Sequence, residues 1–256
     1  MALDPVLLVE TIGRTPDKWQ RDVLRSRAKR MLLNVTRQGG KSTTVAGLCC
    51  HTALYQPGSL SLILSPGERQ SKETFRKVMD VYHDLGRPVP PDTENKLELE
   101  LSNGSRIVAL PGTEGTIRGY SGVDVLIIDE ASRVPDVLYS TVRPMLAVSG
   151  GRLIALSTPF GARGWWHQAW EHGGPTWERV KITAYECPRI TAEFLQEERE
   201  TLPDLFFKSE YLCQFVDQVG QYFATDDVLG AVSGDVLPLF GPVGAVELEV
   251  LCQPLF

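Results

Sequence analysis

Three short stretches carry residue types suited to phosphate chemistry. In the first, Asn34-Val35-Thr36-Arg37-Gln38-Gly39-Gly40-Lys41-Ser42-Thr43 follows the apolar run Met31-Leu32-Leu33 and leads into Thr44-Val45-Ala46-Gly47-Leu48-Cys49-Cys50, which reads as a helix with a small buried face. Strand, glycine-rich turn, Gly-Lys-Ser and helix come in the order needed to wrap backbone N–H groups round a phosphate and aim a helix N-terminus at it. Gln38, Gly39, Gly40 and Thr43 would complete that cradle. Lys41 would meet the β- and γ-phosphates, and the Ser42 hydroxyl would take a place on Mg²⁺. The usual pattern opens on a glycine where this chain has Val35, so taken alone the stretch also suits an ordinary strand-to-helix turn with a surface lysine.

The second stretch supplies the missing half. Val125-Leu126-Ile127-Ile128 runs directly into Asp129-Glu130-Ala131. Four consecutive leucine or β-branched residues predict a strand buried on both faces, which puts the two acids at its C-terminal end, where open α/β sheets hold ligands. Asp129 would hold the Mg²⁺ shell, and Glu130 would orient or deprotonate an attacking water. An acid pair in that position can also cap a helix; its place after the glycine-rich loop favours catalysis. The third stretch, Arg152-Leu153-Ile154-Ala155-Leu156, is a further buried strand ending in Ser157-Thr158-Pro159. Hydroxyls at that tip could sense the γ-phosphate, or simply cap the strand. Upstream, Trp19 and Gln20 could stack on an adenine and bond its edge, against packing for the tryptophan and a surface amide for the glutamine. The expectation is that lysine loop and acid pair converge at adjacent strand tips.

These residues need a scaffold of alternating strands and helices. A short helix over 3–12 ends at Gly13 and Pro16, and a second follows through Val23 and Leu24. Leu60–Leu64 is a strand, and 68–85 is a helix. The interval between strands is too long for a hairpin, so parallel pairing is expected. Pro88, Pro90 and Pro91 form a stiff loop. Leu97–Leu101 and Arg106–Leu110, joined through Asn103-Gly104, predict an antiparallel ribbon beside the parallel strands. A helix over 136–147, a short tryptophan-bearing helix before Gly173-Gly174, and a strand over 177–182 complete a core spanning 1–190. Helices over 191–201 and 204–215, split by Pro203, read as a small lid within 191–223; 224–256 reads as a linker or a truncated beginning, with a single strand over 246–251. The fold class is α/β, a mostly parallel sheet flanked by helices.

Composition narrows the class. With 256 residues, 43% hydrophobic and 23% charged, the chain suits a globular protein with one substantial core. No apolar run reaches the roughly 18 to 20 residues of a membrane span, and Asp4, Pro5 and Glu10 interrupt any signal-peptide pattern. Five cysteines without C-x-x-C spacing suggest neither a disulfide framework nor a zinc site, hence a reducing, cytoplasmic setting. A net charge of -6 argues against a protein that coats nucleic acid over its whole surface. The local run Arg21, Arg25, Arg27, Lys29 and Arg30 reads first as a solvated helix face.

Trp19-Gln20, Arg37-Gln38-Gly39-Gly40-Lys41-Ser42, Arg118-Gly119, Leu126 through Ala131, and Ser157-Thr158-Pro159 stand in the order that resembles the large terminase subunit of tailed bacteriophages, over about Pro16 to Phe223. The arginine-bearing loop without its first glycine is the most specific element. The resemblance implies an ASCE-type P-loop ATPase. It implies Mg²⁺-dependent ATP hydrolysis by a ring of identical subunits on the portal protein of a procapsid, in the host cytoplasm, driving double-stranded DNA inward, with a small terminase subunit delivering the DNA. The isolated chain is expected to be a monomer, with no membrane partner. By the same resemblance Lys41 and Ser42 bind phosphate and metal, Asp129 holds Mg²⁺, Glu130 is the catalytic carboxylate, and Ser157 and Thr158 couple hydrolysis to movement.

Transition-state charge on a transferring phosphoryl group is commonly met by an arginine. Arg118, on a glycine-flanked loop, is the preferred finger acting on a neighbour's nucleotide; Arg37 is a sensor within its own subunit. The resemblance also implies a C-terminal nuclease, but Asp226, Asp227 and Asp235 precede any convincing strand, so no DNA cleavage is assigned. Two other readings stand beside this one. A superfamily-2-like helicase needs a second RecA-like domain, for which the chain lacks room. A non-hydrolysing nucleotide-binding assembly module would be marked by loss of Lys41 or Glu130, and both are present.

Overall fold

In the computed structural model, the described residues are 2–112, 117 and 119–216. They form one compact unit. Arg118, the acids at 226, 227 and 235, and the strand expected over 246–251 lie outside the described residues.

A single eight-stranded sheet organises the unit, in the order β3-β4-β5-β2-β6-β7-β1-β8. The strands are β1 Arg30–Val35, β2 Leu60–Ser65, β3 Pro91–Glu94, β4 Glu98–Leu101, β5 Arg106–Pro111, β6 Val125–Asp129, β7 Arg152–Ser157 and β8 Glu178–Ile182. From β5 to β8 every pairing is parallel, as continuous apolar strands covered on both faces require. Successive strand residues point to opposite faces. Met31, Leu33, Ile127, Ile154 and Leu156 therefore join one core with helices α1 (Pro5–Thr11), α2 (Lys18–Arg25), α3 (Lys41–Tyr55) and α4 (Glu68–Asp84). Leu32, Leu126, Ile128, Leu153 and Ala155 join the other with α5 (Asp136–Val142) and α6 (Gly164–His172). Trp165 stacks on Tyr139 with ring centroids 4.0 Å apart, closing that second face.

Three local expectations change. The predicted ribbon is real, but its second arm, β5, is also a parallel partner of β2, so the hairpin extends the main sheet. The proline loop contains a strand: Pro91 opens β3 at the sheet edge, where a residue without an N–H costs no ladder bond. The helix predicted over 136–147 ends at Val142 and continues as a 3₁₀ turn over Arg143–Leu146, because Pro144 cannot supply the next helical donor.

Helices α7 (Ala192–Thr201) and α8 (Asp204–Glu210) pack Leu195 and Phe207 on Ala184 in a small third core. Helix α8 stops five residues before the predicted end. The chain turns at Cys213, with φ +53°, and its carbonyl accepts from Asn34 Nδ2 at 3.0 Å. A tertiary contact to β1 thus ends the helix.

Candidate functional site

The C-terminal tips of β1, β7 and β6 stand side by side, and the chemistry-bearing residues gather there. The lysine loop and the acid pair do not occupy neighbouring tips: β7 lies between them, so Ser157 and Thr158 sit at the centre of the site. The loop from Thr36 to Gly40 bends back on itself through Gly39 N–H to Thr36 C=O at 3.2 Å. It uses left-handed backbone at Gln38 (φ +59°) and Gly40 (φ +92°). Val35, which replaces the usual first glycine, is fully buried, and its Cγ1 would stand 2.6 Å from a Cβ on residue 39. Val35 Cγ1 and the Thr36 carbonyl, which would stand 3.0 Å away, together leave no room for a side chain at 39. Helix α3 opens immediately after Gly40 with no side-chain cap, leaving first-turn N–H groups for an anion. Ser42 and Thr43 lie half-buried on that turn.

Lys41 is only 8% exposed, and its ammonium donates to the carbonyls of Val35 (2.6 Å) and Thr36 (3.1 Å). Burial pulls its pKa down, and the Glu130 and Asp129 carboxylates work against that pull. Across the site, Asp129 is 4% exposed. Its Oδ2 lies 3.4 Å from Ser42 Oγ and accepts a bond from Thr74 Oγ1 on α4; its Oδ1 accepts the Glu130 N–H at 2.9 Å. Glu130 itself holds left-handed backbone at φ +51°. Burial, and then the neighbouring Asp129, push its carboxyl pKa upward, with Lys41 and Arg133 opposing. Ser42, Thr74, Asp129 and Glu130 line a cleft of about 370 Å³.

At the central tip, Ser157 Oγ lies 2.7 Å from Ser132 Oγ, just past Glu130, while Thr158 Oγ1 donates to Glu210 Oε2 at 2.9 Å. Glu210, 3% exposed at the end of α8, also takes Arg37 Nε at 2.8 Å, and its carbonyl accepts from Thr36 Oγ1. One buried carboxylate therefore ties the glycine-rich loop, the β7 tip and α8 together. No local sequence pattern points to Glu210 or Thr74.

Upstream of the loop, Trp19 is 7% exposed and belongs to the first core, so packing describes its place better than an open stacking surface. Gln20 is likewise buried, not a surface amide. Its Oε1 accepts the Asp17 N–H at 2.8 Å in a capping box, and its Nε2 crowds Gly40. A cavity of about 670 Å³ opens beside Asp17, Trp19, Ile182 and Pro188. The arginine and lysine run is mostly tied up within the fold, with Arg25 on Asp4 (2.7 Å) and Arg21 on Glu10 (3.3 Å).

The residues present fit a magnesium-bound nucleoside triphosphate. The buried Asp129 carboxylate and the half-buried Glu130 beside it face one buried ammonium, which leaves room for another cation. Among the described residues no group of three or more His, Cys, Asp or Glu could hold a metal alone. Magnesium characteristically takes one or two protein oxygens and completes its shell from phosphate and water. Ser42 and Asp129 are such oxygens.

Sheet order, phosphate loop and acid pair define the class as a P-loop NTPase of ASCE type. The family described as "Terminase large subunit, T4likevirus-type, N-terminal" matches residues 32–229, and the chain belongs to that family. Among relatives, the large terminase subunit of Thermus phage G20c is 27% identical over 86% of this chain and 53% of its own length. That of Escherichia phage T5 is 24% identical over 77% and 46%. The chain spans about half the length of the curated relatives it matches. Solved structures share the fold, two of them as follows. The large terminase ATPase domain of Thermus phage P74-26 is 24% identical with a TM-score of 0.73, covering 81% of this chain and 97% of its own. A large terminase from a thermophilic bacteriophage, solved in complex with ADP, is 10% identical with a TM-score of 0.61, over 83% and 53%.

Proposed function

We propose that this chain is the ATPase motor portion of a terminase large subunit, hydrolysing ATP to drive double-stranded DNA into a procapsid in the host cytoplasm. It would work as a homo-oligomeric ring on the portal protein, with a small terminase subunit delivering the DNA. The observation that carries the reading is the meeting of Lys41, Ser42, Asp129 and Glu130 at the strand tips of a chain in this family.

Lys41 exchanges its two loop carbonyls for the β- and γ-phosphate oxygens, and the α3 N-terminus supplies N–H donors to the same group. Ser42 and Asp129 hold Mg²⁺, which when bound would neutralise charge on the phosphates. Glu130, whose carboxyl pKa is pushed upward by burial and by the neighbouring Asp129, orients the attacking water and takes its proton. Arg37, more than half exposed and tethered by Glu210, senses the γ-phosphate; the Ser157-Thr158 tip relays that change to α8 through Glu210. Residues 191–223 act as the lid. Arg118 completes a neighbour's site.

Isolated chain should bind Mg·ATP and turn it over slowly. Lys41→Ala should abolish tight binding, measured by titration calorimetry. Phosphate release per subunit should rise with protein concentration; constant specific activity down to high dilution would remove the in-trans arginine. Tight Mg·ATP binding by Lys41→Ala would overturn the site itself.

A further inference from the structure

We infer that Arg189, in the loop after β8, is a positioning residue that clamps the phosphate loop to the base-side segment and so preorganises the site for nucleotide. The inference rests on the nucleotide-site reading above. Its guanidinium meets both carboxylate oxygens of Asp17, Nη1 to Oδ1 at 3.0 Å and Nη2 to Oδ2 at 2.8 Å, and Nη2 also donates to the Gly39 carbonyl at 2.9 Å. Asp17 caps α2 and shares its capping box with Gln20. Gln20 Nε2 and Arg189 Nη2 both pack over Gly40, at 2.6 Å and 3.5 Å from where a Cβ would stand. The contacts close a circuit: Arg189 to Gly39, Gly40 to Gln20, Gln20 to Asp17, Asp17 back to Arg189.

The chemistry of an anion-binding loop explains why such a clamp is useful. Backbone N–H groups can converge on a phosphate only if the carbonyls between them point outward, and an outward carbonyl in a half-buried loop needs a donor. Arg189 provides it for Gly39. A lysine could reach one of these partners, whereas the planar fork serves a carboxylate and a carbonyl together. Asp17 also borders the cavity beside Trp19 and Pro188, so the clamp stands where the base end and the phosphate end of a nucleotide site meet. The guanidinium touches loop carbonyl and carboxylate, not the reacting atoms, and acts through them.

The test uses the whole chain, Mg·ATP and Mg·tripolyphosphate as probes, and calorimetry, which reads stoichiometry and affinity separately. Arg189→Lys keeps the charge and removes the fork. It should raise the dissociation constants of both probes about tenfold, with kcat at saturation within about threefold of wild type. Asp17→Asn should do the same, and the double variant should be no worse than the weaker single one, because both cut one circuit. If Arg189→Lys binds both probes as wild type does, or if the two substitutions add fully, the clamp is wrong. A purely structural role would lower the melting temperature and binding stoichiometry while the bound fraction kept wild-type affinity, and that result also overturns the proposal. Failure of wild-type chain to bind either probe would instead refute the nucleotide site.

Discussion

The two ends of the parallel sheet solve opposite problems. At the N-terminal ends, polar side chains satisfy backbone: Asp124 Oδ2 takes the Leu60 N–H at 2.9 Å, Arg152 Nε donates to Ala28 C=O at 3.1 Å, and Arg30 Nη1 to Gly151 C=O at 3.1 Å. At the C-terminal tips, charges are buried against one another, and three of the four non-glycine residues with positive φ among the described residues, Gln38, Glu130 and Cys213, collect there. The larger cavity, about 810 Å³, lies at the N-terminal end, against about 370 Å³ beside the acid pair. Cavity size therefore does not locate the chemistry; stored strain and uncompensated charge do.

This contrast makes its sharpest prediction for paired substitutions. Glu130→Gln should cut turnover about 10²- to 10⁴-fold, the share a general base supplies, while leaving Mg·ATP affinity nearly intact. It should also raise the melting temperature, because it removes a buried charge beside Asp129. Asp124→Ala should do the reverse: turnover close to wild type, and a loss of about 1–3 kcal/mol in stability for the orphaned Leu60 N–H. The sign of the Glu130 effect can be followed with pH. Its folded pKa is raised above the ordinary 4.5, so the protonated form favours the folded state and that advantage disappears as pH rises through the raised value. The melting-temperature gap between wild type and Glu130→Gln should be small below pH 4.5 and widen above it. A gap that narrows with rising pH, or an Asp124→Ala chain that loses turnover as deeply, would erase the distinction between the ends.

How far the amino-acid pattern carried this picture follows the same divide. The positions of Lys41, Ser42, Asp129 and Glu130 at strand and helix ends could be read directly, because each ends or begins an element whose apolar period is unmistakable. The parallel strands followed from the intervals between them. Strand order could not be read: β7 entering between β1 and β6 is a matter of tertiary closure, and it moved Ser157 and Thr158 from the flank of the site to its middle. Glu210, Thr74 and Arg189 were invisible for the same reason. Each belongs to a segment with no local motif and acquires a partner only when distant chain folds over it, as Glu210 does with Arg37 and Thr158. Trp19 shows the converse, since an aromatic suited to a base proved to be filling the core.

Thr74 offers a smaller, cleaner probe of the tips. Its hydroxyl donates to the same Asp129 oxygen that faces Ser42, so it orients the carboxylate. Partners of this kind around metal-binding groups typically govern affinity by about 10- to 100-fold. Thr74→Val, close to isosteric, should weaken Mg²⁺ dependence of turnover within that range and leave metal-free ATP binding unchanged. An unchanged Mg²⁺ titration would mean that the Asp129 orientation is set by the backbone alone.

The smallest expected effect tests whether the charge balance at the tips is as tight as their burial implies. Arg133 follows the acid pair as the exposed residue of a 3₁₀ turn, with its guanidinium 3.9 Å from the Phe160 ring centroid, and its charge opposes the rise in the Glu130 pKa, after the stronger influence of Lys41. With Glu130 as the proposed base, activity should fall as pH drops through its raised pKa. Arg133→Ala removes one opposing charge and should move that acid limb to higher pH, leaving the alkaline plateau unchanged. The interaction reaches Glu130 partly through solvent, so the displacement should shrink as salt is added, whereas the burial that raises the pKa in wild type should persist. An acid limb that stays fixed in Arg133→Ala at low salt would show that Lys41 and desolvation alone balance the carboxyl, and the tips would be more insulated from the surface than the geometry indicates.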